Sequence, residues 1–307
     1  MESVKERIDI YKKRCFRTYN YDIKASLYNL VYLLEHYTGE YDKDFHYTLE
    51  SDKRYREIRD IKHERFANNI QRVLKKNDVL LENIIDPYKT SFVPSGPYKE
   101  QYIDPNTCLK IVGDFLSTIN PYIYNLYCEL YHDQRILFTE RLDTGCEANA
   151  KSRDSIHVFC PSLCTVSDMS TLVHEMGHAY KDYRIPEHHR AFDVKDSIRC
   201  EMSSKTLELM FIMYLINNRI YYEDALKRFN WFENQVYDAA NKYSRDKIIN
   251  AFVAKQFAYL LGGIVANNYV FEPNMSYDDF IRKIYFSNIG TLIKDINKSN
   301  KVKKFHF

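Results

Sequence analysis

A single tryptophan, eight glycines and eight prolines in 307 residues leave little of the punctuation that a turn-rich β architecture needs. Long helices are the expectation that follows. Long hydrophobic runs are also missing: the most apolar late stretch, Phe257 to Ala266 (FAYLLGGIVA), has ten residues, against the ~20 of a membrane-crossing helix. No charge predominates, because 44 basic and 42 acidic side chains leave a net charge of +2. That balance predicts no nucleic-acid partner. The N-terminus, MESVKERIDIYKKR, is charged from its second residue and has no apolar signal core. Seven cysteines, an odd number in a long chain, do not make a disulfide framework. The expectation is a soluble cytoplasmic protein with no membrane partner.

What is present is ordinary in bulk and unusual in its aromatics. Hydrophobic residues at 45% and charged residues at 28% are globular values, whereas 27 tyrosines and 18 phenylalanines accompany the lone tryptophan. In SLYNLVYLLEHY, Leu27, Leu30, Val31 and Leu34 recur at helical spacing. A further helix is predicted over 55–74 and a short one over 77–84. Pro87, Pro94 and Pro97 mark the best internal boundary, separating an N-terminal helical part, residues 1–90, from residues 91–307. Asn106 or Thr107 is placed to cap the helix LKIVGDFLSTIN, and another helix follows over 122–137. SIHVF (155–159) is the clearest strand-like run. Helices are then predicted over 168–182, 198–218, 222–243, 246–270 and 277–285.

The chemistry concentrates in DMSTLVHEMGHAYKDY, residues 168–183. His174, Glu175 and His178 spell H-E-x-x-H. In a helix, positions i and i+4 share a face, so both imidazoles can address one metal ion. Glu175 is turned about 100° from His174, a position from which it can take a proton from metal-bound water. Ser167 or Asp168 is placed to cap this helix, with Leu172, Val173 and Met176 as its core anchors.

A catalytic zinc needs three protein ligands and an exchangeable position. Downstream candidates for the third ligand are His188, His189, Asp193, Asp196, Glu201 and Glu208. The spacing H-E-x-x-H-x-x-G-x-x-H is excluded, because Lys181 and Arg184 stand where it requires glycine and histidine. Glu201 opens an amphipathic helix 23 residues beyond His178, enough for a loop and an antiparallel return. Glu208, two turns on, is either an acceptor for the far N–H of a ligand histidine or an exposed acid.

HEMGH followed by EMSSKTLE (201–208) resembles the M3 family of zinc metallopeptidases, the thimet oligopeptidase and oligoendopeptidase F group. Those enzymes pair an HExGH helix with an E-x-x-S-x-x-x-E helix. RLDTGCEANAKSRD and SIHVFCPSLCTVSDMSTLVHE are similar to the glycine- and cysteine-bearing loop and edge strand that precede their zinc helix. The resemblance implies one zinc ion held by His174, His178 and Glu201, with Glu175 as general base. It also implies a mainly α, gluzincin-like fold with a small β-sheet beside the zinc helix and a substrate cleft, the 1–90 part contributing one wall. With about 140 residues ahead of the zinc helices, the chain looks like a compact member.

Two departures from the family pattern stand out. Beyond His189 the only histidine is His306, so the C-terminal histidine that reaches the scissile carbonyl is missing or replaced. Tyr259, and after it Tyr243, are the candidate oxyanion donors. Of the loop glycines only Gly145 is present, beside Cys146. The function expected is hydrolysis of short unfolded peptides, with strand 157–159 pairing with the substrate backbone. The alternative is a catalytically degenerate zinc-binding homologue that acts as a peptide-binding or structural module. A thiol site at Cys160 and Cys164 is a weaker reading, since C-x-x-x-C is not a redox pair and both cysteines suit buried positions near the metal helix.

Overall fold

The computed structural model of the chain describes residues 3–54, 56–57, 72, 76, 78–89, 99–148, 152–185, 194–242, 251–271 and 275–299. They form a mainly helical protein with one small three-stranded sheet. No helix among them is long and apolar enough to cross a membrane. The chain divides into two compact units: residues 1–62 with 102–192, and residues 63–101 with 193–307.

The first unit opens with α1 (Val4–Arg17), α2 (Tyr21–Thr38) and α3 (Lys43–Ser51). Ser3 starts α1 through a reciprocal capping box with Glu6, and Asn20 and Asp42 cap the next two helices. Leu27, Leu30, Val31 and Leu34 are fully buried on α2, as their spacing predicts. Each such side chain contributes roughly 1.5–3 kcal/mol by leaving water. Gly39 ends α2 with φ 76°, a conformation that glycine adopts freely. The Arg141 guanidinium fills the space a Cβ would need there and donates to the last carbonyls of the helix, those of His36 and Tyr37, at 3.1 and 3.0 Å.

Two helices follow, α5 (Pro105–Ile119) and α6 (Pro121–His132), each with proline at its first position. Asp104 caps α5, in place of the expected Asn106 or Thr107: with Pro105 starting the helix, the capping carboxylate must come just before it. The strands β1 (Ile136–Phe138), β2 (Cys146–Ala148) and β3 (His157–Cys160) lie in the order β1-β3-β2. β3 runs parallel to β1, with Leu137 opposite Phe159, and antiparallel to β2, with Cys146 opposite Phe159. Leu137 and Phe159 face the α1–α3 core, and α7 (Val166–Arg184) packs against β3.

This order overturns one expectation. Strand 157–159 is the middle strand, with both edges taken by β1 and β2, so it has no ladder to offer a peptide. His157 is structural. Its ring is fully buried, its Nδ1 donates to the Ser155 carbonyl at 3.0 Å, and its Nε2 lies 3.4 Å from an Arg7 nitrogen. Arg7, itself buried, also donates to the carbonyls of Gln134 and Asp133, tying α1 to the start of the sheet. Neutral imidazole is the form that can accept from a guanidinium.

The second unit contains α4 (Asp78–Ile85), α8 (Val194–Asn217), α9 (Tyr222–Lys242), α10 (Ala251–Phe271), α11 (Tyr277–Phe286) and α12 (Ile289–Ser299). α8 and α10 form its main helix pair. The helices expected over 77–84 and from 168 onward are present within a few residues at their ends, whereas most of 55–74 lies outside the described residues.

Burial, with lesser help from the positive charges of Arg7 and Arg135, holds the His157 pKa down to about 3. The unfolded chain binds a proton near pH 6.5 and the folded one does not. Stability contributed by neutral His157 is therefore complete above about pH 6.5 and is lost as pH falls toward 3, by about 1.4 kcal/mol per unit. Urea denaturation at pH 7, 6 and 5 tests this. The His157→Gln variant, which keeps an acceptor for Arg7, should be less stable at pH 7 but show a shallower loss on acidification.

Candidate metal centre

Helix α7 is braced before its chemistry begins. Thr165, not Ser167 or Asp168, is its N-cap, accepting from the Asp168 amide at 3.1 Å. The Asp168 carboxylate turns back instead, accepting from the Ser162 hydroxyl at 2.9 Å and the Cys164 amide at 2.9 Å. The loop leaving β3 is thus clamped onto the first turn. Leu172, Val173 and Met176 are fully buried, as expected of its core face. Further along, the Tyr180 hydroxyl donates to Asn120 Oδ1 at 3.3 Å, and Asn120 in turn caps α6. Cys160 is buried and Cys164 half-buried. Burial, followed by the neighbouring Glu175 carboxylate, pushes the Cys160 thiol well above its ordinary range, so it stays protonated and unreactive.

His174 and His178 stand one turn apart on this braced helix, their rings edge to face with centroids 4.9 Å apart and Nε2 atoms 3.2 Å apart. Two ligands of a tetrahedral ion bound at roughly 2.0–2.1 Å are separated by about 3.3–3.4 Å. The imidazole pair therefore already has the edge length that a metal ion requires. One ligand atom from each of His174, His178 and Glu201 lies within 4.8 Å of the other two. Among the described residues this is the grouping of histidine, cysteine and carboxylate side chains that can hold an ion. Two imidazoles and a carboxylate are a donor set used by catalytic zinc, three ligands with a fourth position left over.

Glu175 is buried at the loop that leads into β2. Gly145 makes that approach possible. A Cβ on it would stand 2.5 Å from Thr171 Cγ2, too close without a shift of that side chain, and in tight contact with Glu175 Oε1 at 3.3 Å.

Glu201 is held from within the second unit. A Cβ on Gly262 of α10 would lie 2.8 Å from the Glu201 carbonyl oxygen and 3.2 Å from its Cβ, so backbone packs on backbone where the carboxylate leaves α8. Two hydrogen bonds bracket the same turn: Arg199 donates to the Ser287 carbonyl at 2.7 Å, and the Tyr277 hydroxyl to the Ser203 carbonyl at 2.9 Å. Glu208 is neither exposed nor isolated. Its oxygens accept from Lys205 at 3.0 Å and Arg228 at 2.9 Å, bracing α8 against α9. The Lys205 ammonium also sits 5.1 Å from the centre of the Phe232 ring and 5.4 Å from that of Tyr259.

Tyr259 is thus half-buried on α10 beside Lys205. Tyr243, His188, His189 and Asp193 lie outside the described residues, as does the side chain of Asp196. Neither Gly262 nor Lys205 follows from the motif. The signal for the first was a Gly-Gly step inside an apolar helix; for the second, a lysine at i+4 from Glu201.

No protein-family model matches the chain, and no curated protein matches it. Solved structures similar to it include a predicted peptidase from Chlamydophila abortus (14% identity, TM-score 0.46, 76% of this chain and 51% of that one). Another is a predicted oligoendopeptidase F from Bacillus anthracis str. Ames (12% identity, TM-score 0.41, 76% of this chain and 54% of that one). The chain spans about half the length of these two structures. Likenesses this distant carry no argument about activity, which has to come from the site itself.

The Gly262 contact makes a specific prediction. Gly262→Ala should lower zinc affinity by about 10–100-fold, the usual cost of disturbing what supports a metal ligand, together with about 1–3 kcal/mol of stability from overpacking. Competition against a chromogenic chelator and a thermal melt measure the two effects. Unchanged zinc affinity would show that Glu201 does not depend on this contact.

Proposed function

We propose that the chain is a zinc-dependent endopeptidase of the M3 type, which hydrolyses peptide bonds in short unfolded peptides. The observation that carries the reading is the convergence of His174, His178 and Glu201 with Glu175 next to the first ligand on the same buried helix. His174, His178 and Glu201 would hold one zinc ion, and zinc so held supplies Lewis acidity toward water and the peptide carbonyl.

The residues of the chain supply the rest. Glu175 takes a proton from the attacking water; the oxygen of that water adds to the carbonyl carbon. As the C–N bond breaks, Glu175 gives the proton to the leaving amine. The Tyr259 hydroxyl donates a hydrogen bond to the carbonyl oxygen as negative charge develops on it. Its neighbour Lys205 makes the surroundings more positive, which favours that charge. Tyr243 is the second candidate for this donor.

The substrate backbone pairs with β2 rather than β3. β2 is an outer strand of the sheet, no strand pairs with its far edge among the described residues, and it begins one residue after Gly145, which touches Glu175. An extended peptide added to that edge runs past the general base with its carbonyls in register. Gly145 therefore serves binding and chemistry together.

Three outcomes are expected. His174→Ala or Glu201→Ala should lose stoichiometric zinc by metal analysis, and Glu175→Gln should retain zinc while cutting no member of a peptide library. Wild-type cleavage by Glu175→Gln sinks the mechanism; no cleavage by the zinc-loaded wild-type protein leaves a peptide-binding module. Tyr259→Phe should lower kcat by about 10²–10³-fold with little change in KM, and equal kcat would reassign the donor.

A further inference from the structure

The second unit contains a cavity of about 360 Å³ formed by α8, α10, α11 and α12. That volume is at the small end of the roughly 300–1,000 Å³ that encloses small organic ligands. Its walls are Met202, Val265, Phe280, Ile284, Leu292 and Ile296, all core side chains. The polar groups facing it are few and mostly engaged. The Asn268 amide donates to the Ile264 carbonyl at 2.9 Å, and the Tyr269 hydroxyl to the Met275 carbonyl at 2.9 Å. Lys283 pairs with Asp295 at 3.4 Å. Lys298 lines the cavity too, is exposed, and has no ion-pair partner among the described residues. Among the described residues, an apolar interior thus sits under a rim of two lysines and one aspartate, with one positive charge in excess.

We infer that this cavity binds an apolar chain ending in a single carboxylate, a free fatty acid of medium length, with the chain against Met202 and Ile284 and the carboxylate at Lys298. Each part of that ligand answers something present. The alkyl chain covers apolar surface that water wets poorly. One negative charge balances the excess lysine; a neutral head group leaves it unbalanced, and a cationic one is repelled. A doubly charged head would overcompensate the rim and meet Asp295. Met202 follows Glu201 in the chain, so the occupant abuts the turn of α8 that the Arg199 and Tyr277 hydrogen bonds bracket.

The test is calorimetric titration of the full chain with decanoate, with decanol and decyltrimethylammonium as head-group controls. Running it in chelator makes the result independent of whether the chain binds zinc or cleaves peptides. Saturable one-to-one binding of decanoate is expected, at least about tenfold tighter than decanol, with none of the cation. Lys298→Glu, an exposed change that leaves the core intact, should weaken decanoate by about tenfold or more. Ile284→Trp, which fills the cavity, should remove binding. No decanoate binding, equal binding of the three amphiphiles, or wild-type affinity in Lys298→Glu overturns the inference.

Discussion

Two imidazole nitrogens 3.2 Å apart on one helical face are the constraint on which the rest of the structure depends. Two neutral imidazoles can share that distance through one proton, but the same separation also fits the edge of a metal's coordination shell. Keeping it requires a helix that neither frays nor slides. That requirement explains why α7 is held at its first turn by Thr165 and Asp168, along its length by β3, and near its end by Tyr180 on Asn120. A rigid element carrying the ligands is what a metal centre needs, because binding energy is otherwise lost in ordering them.

The carboxylate of the set is secured differently. Glu201 stands on a helix that meets α10 through a glycine, and the closest contact is to its own backbone. Packing of this kind has little slack: interiors are dense, and a helix that touches backbone on backbone cannot shift without moving the residue it carries. Lys205, Glu208 and Arg228 add a buried ion network one to two turns further on. Burying three charges costs desolvation, and the network is therefore better understood as fixing the register of α8 against α9 than as a source of stability.

The part of this that could be read along the chain was whatever depends on spacing within one helix. H-E-x-x-H, the apolar stripe of α2 and the long helices after residue 166 are periodic signals, and the structure has them. What spacing could not give was adjacency. Strands of three or four residues are too short for an alternation that reveals their neighbours, so His157–Phe159 read as an accessible strand and is in fact enclosed on both edges. Caps moved by two or three residues, because Asp104 and Thr165 are chosen by where the chain turns and not by the first apolar residue. Gly145 and Gly262 were visible only as glycines; their meaning lies in which side chain or backbone they face. Burial had the same effect on Glu208, whose two cationic partners are Lys205, three residues earlier on α8, and Arg228 on α9.

Part of the tyrosine excess resolves along the same line. Hydroxyls of Tyr127, Tyr180, Tyr237, Tyr269 and Tyr277 each donate inside the protein, to the Leu109 carbonyl, Asn120, Glu233, the Met275 carbonyl and the Ser203 carbonyl. A tyrosine in such a place packs as phenylalanine does and adds a tether of about 1 kcal/mol through its hydroxyl. In a chain with few glycines and prolines to fix its turns, helices must be located by their side chains, and a long rigid ring ending in a donor does that across an interhelical gap. These five tyrosines are therefore structural, whereas others such as Tyr19, Tyr47 and Tyr102 are exposed, and number alone does not make any one hydroxyl catalytic. Tyr259 has to be argued from its own position, half-buried beside Lys205 on the helix whose Gly262 supports Glu201.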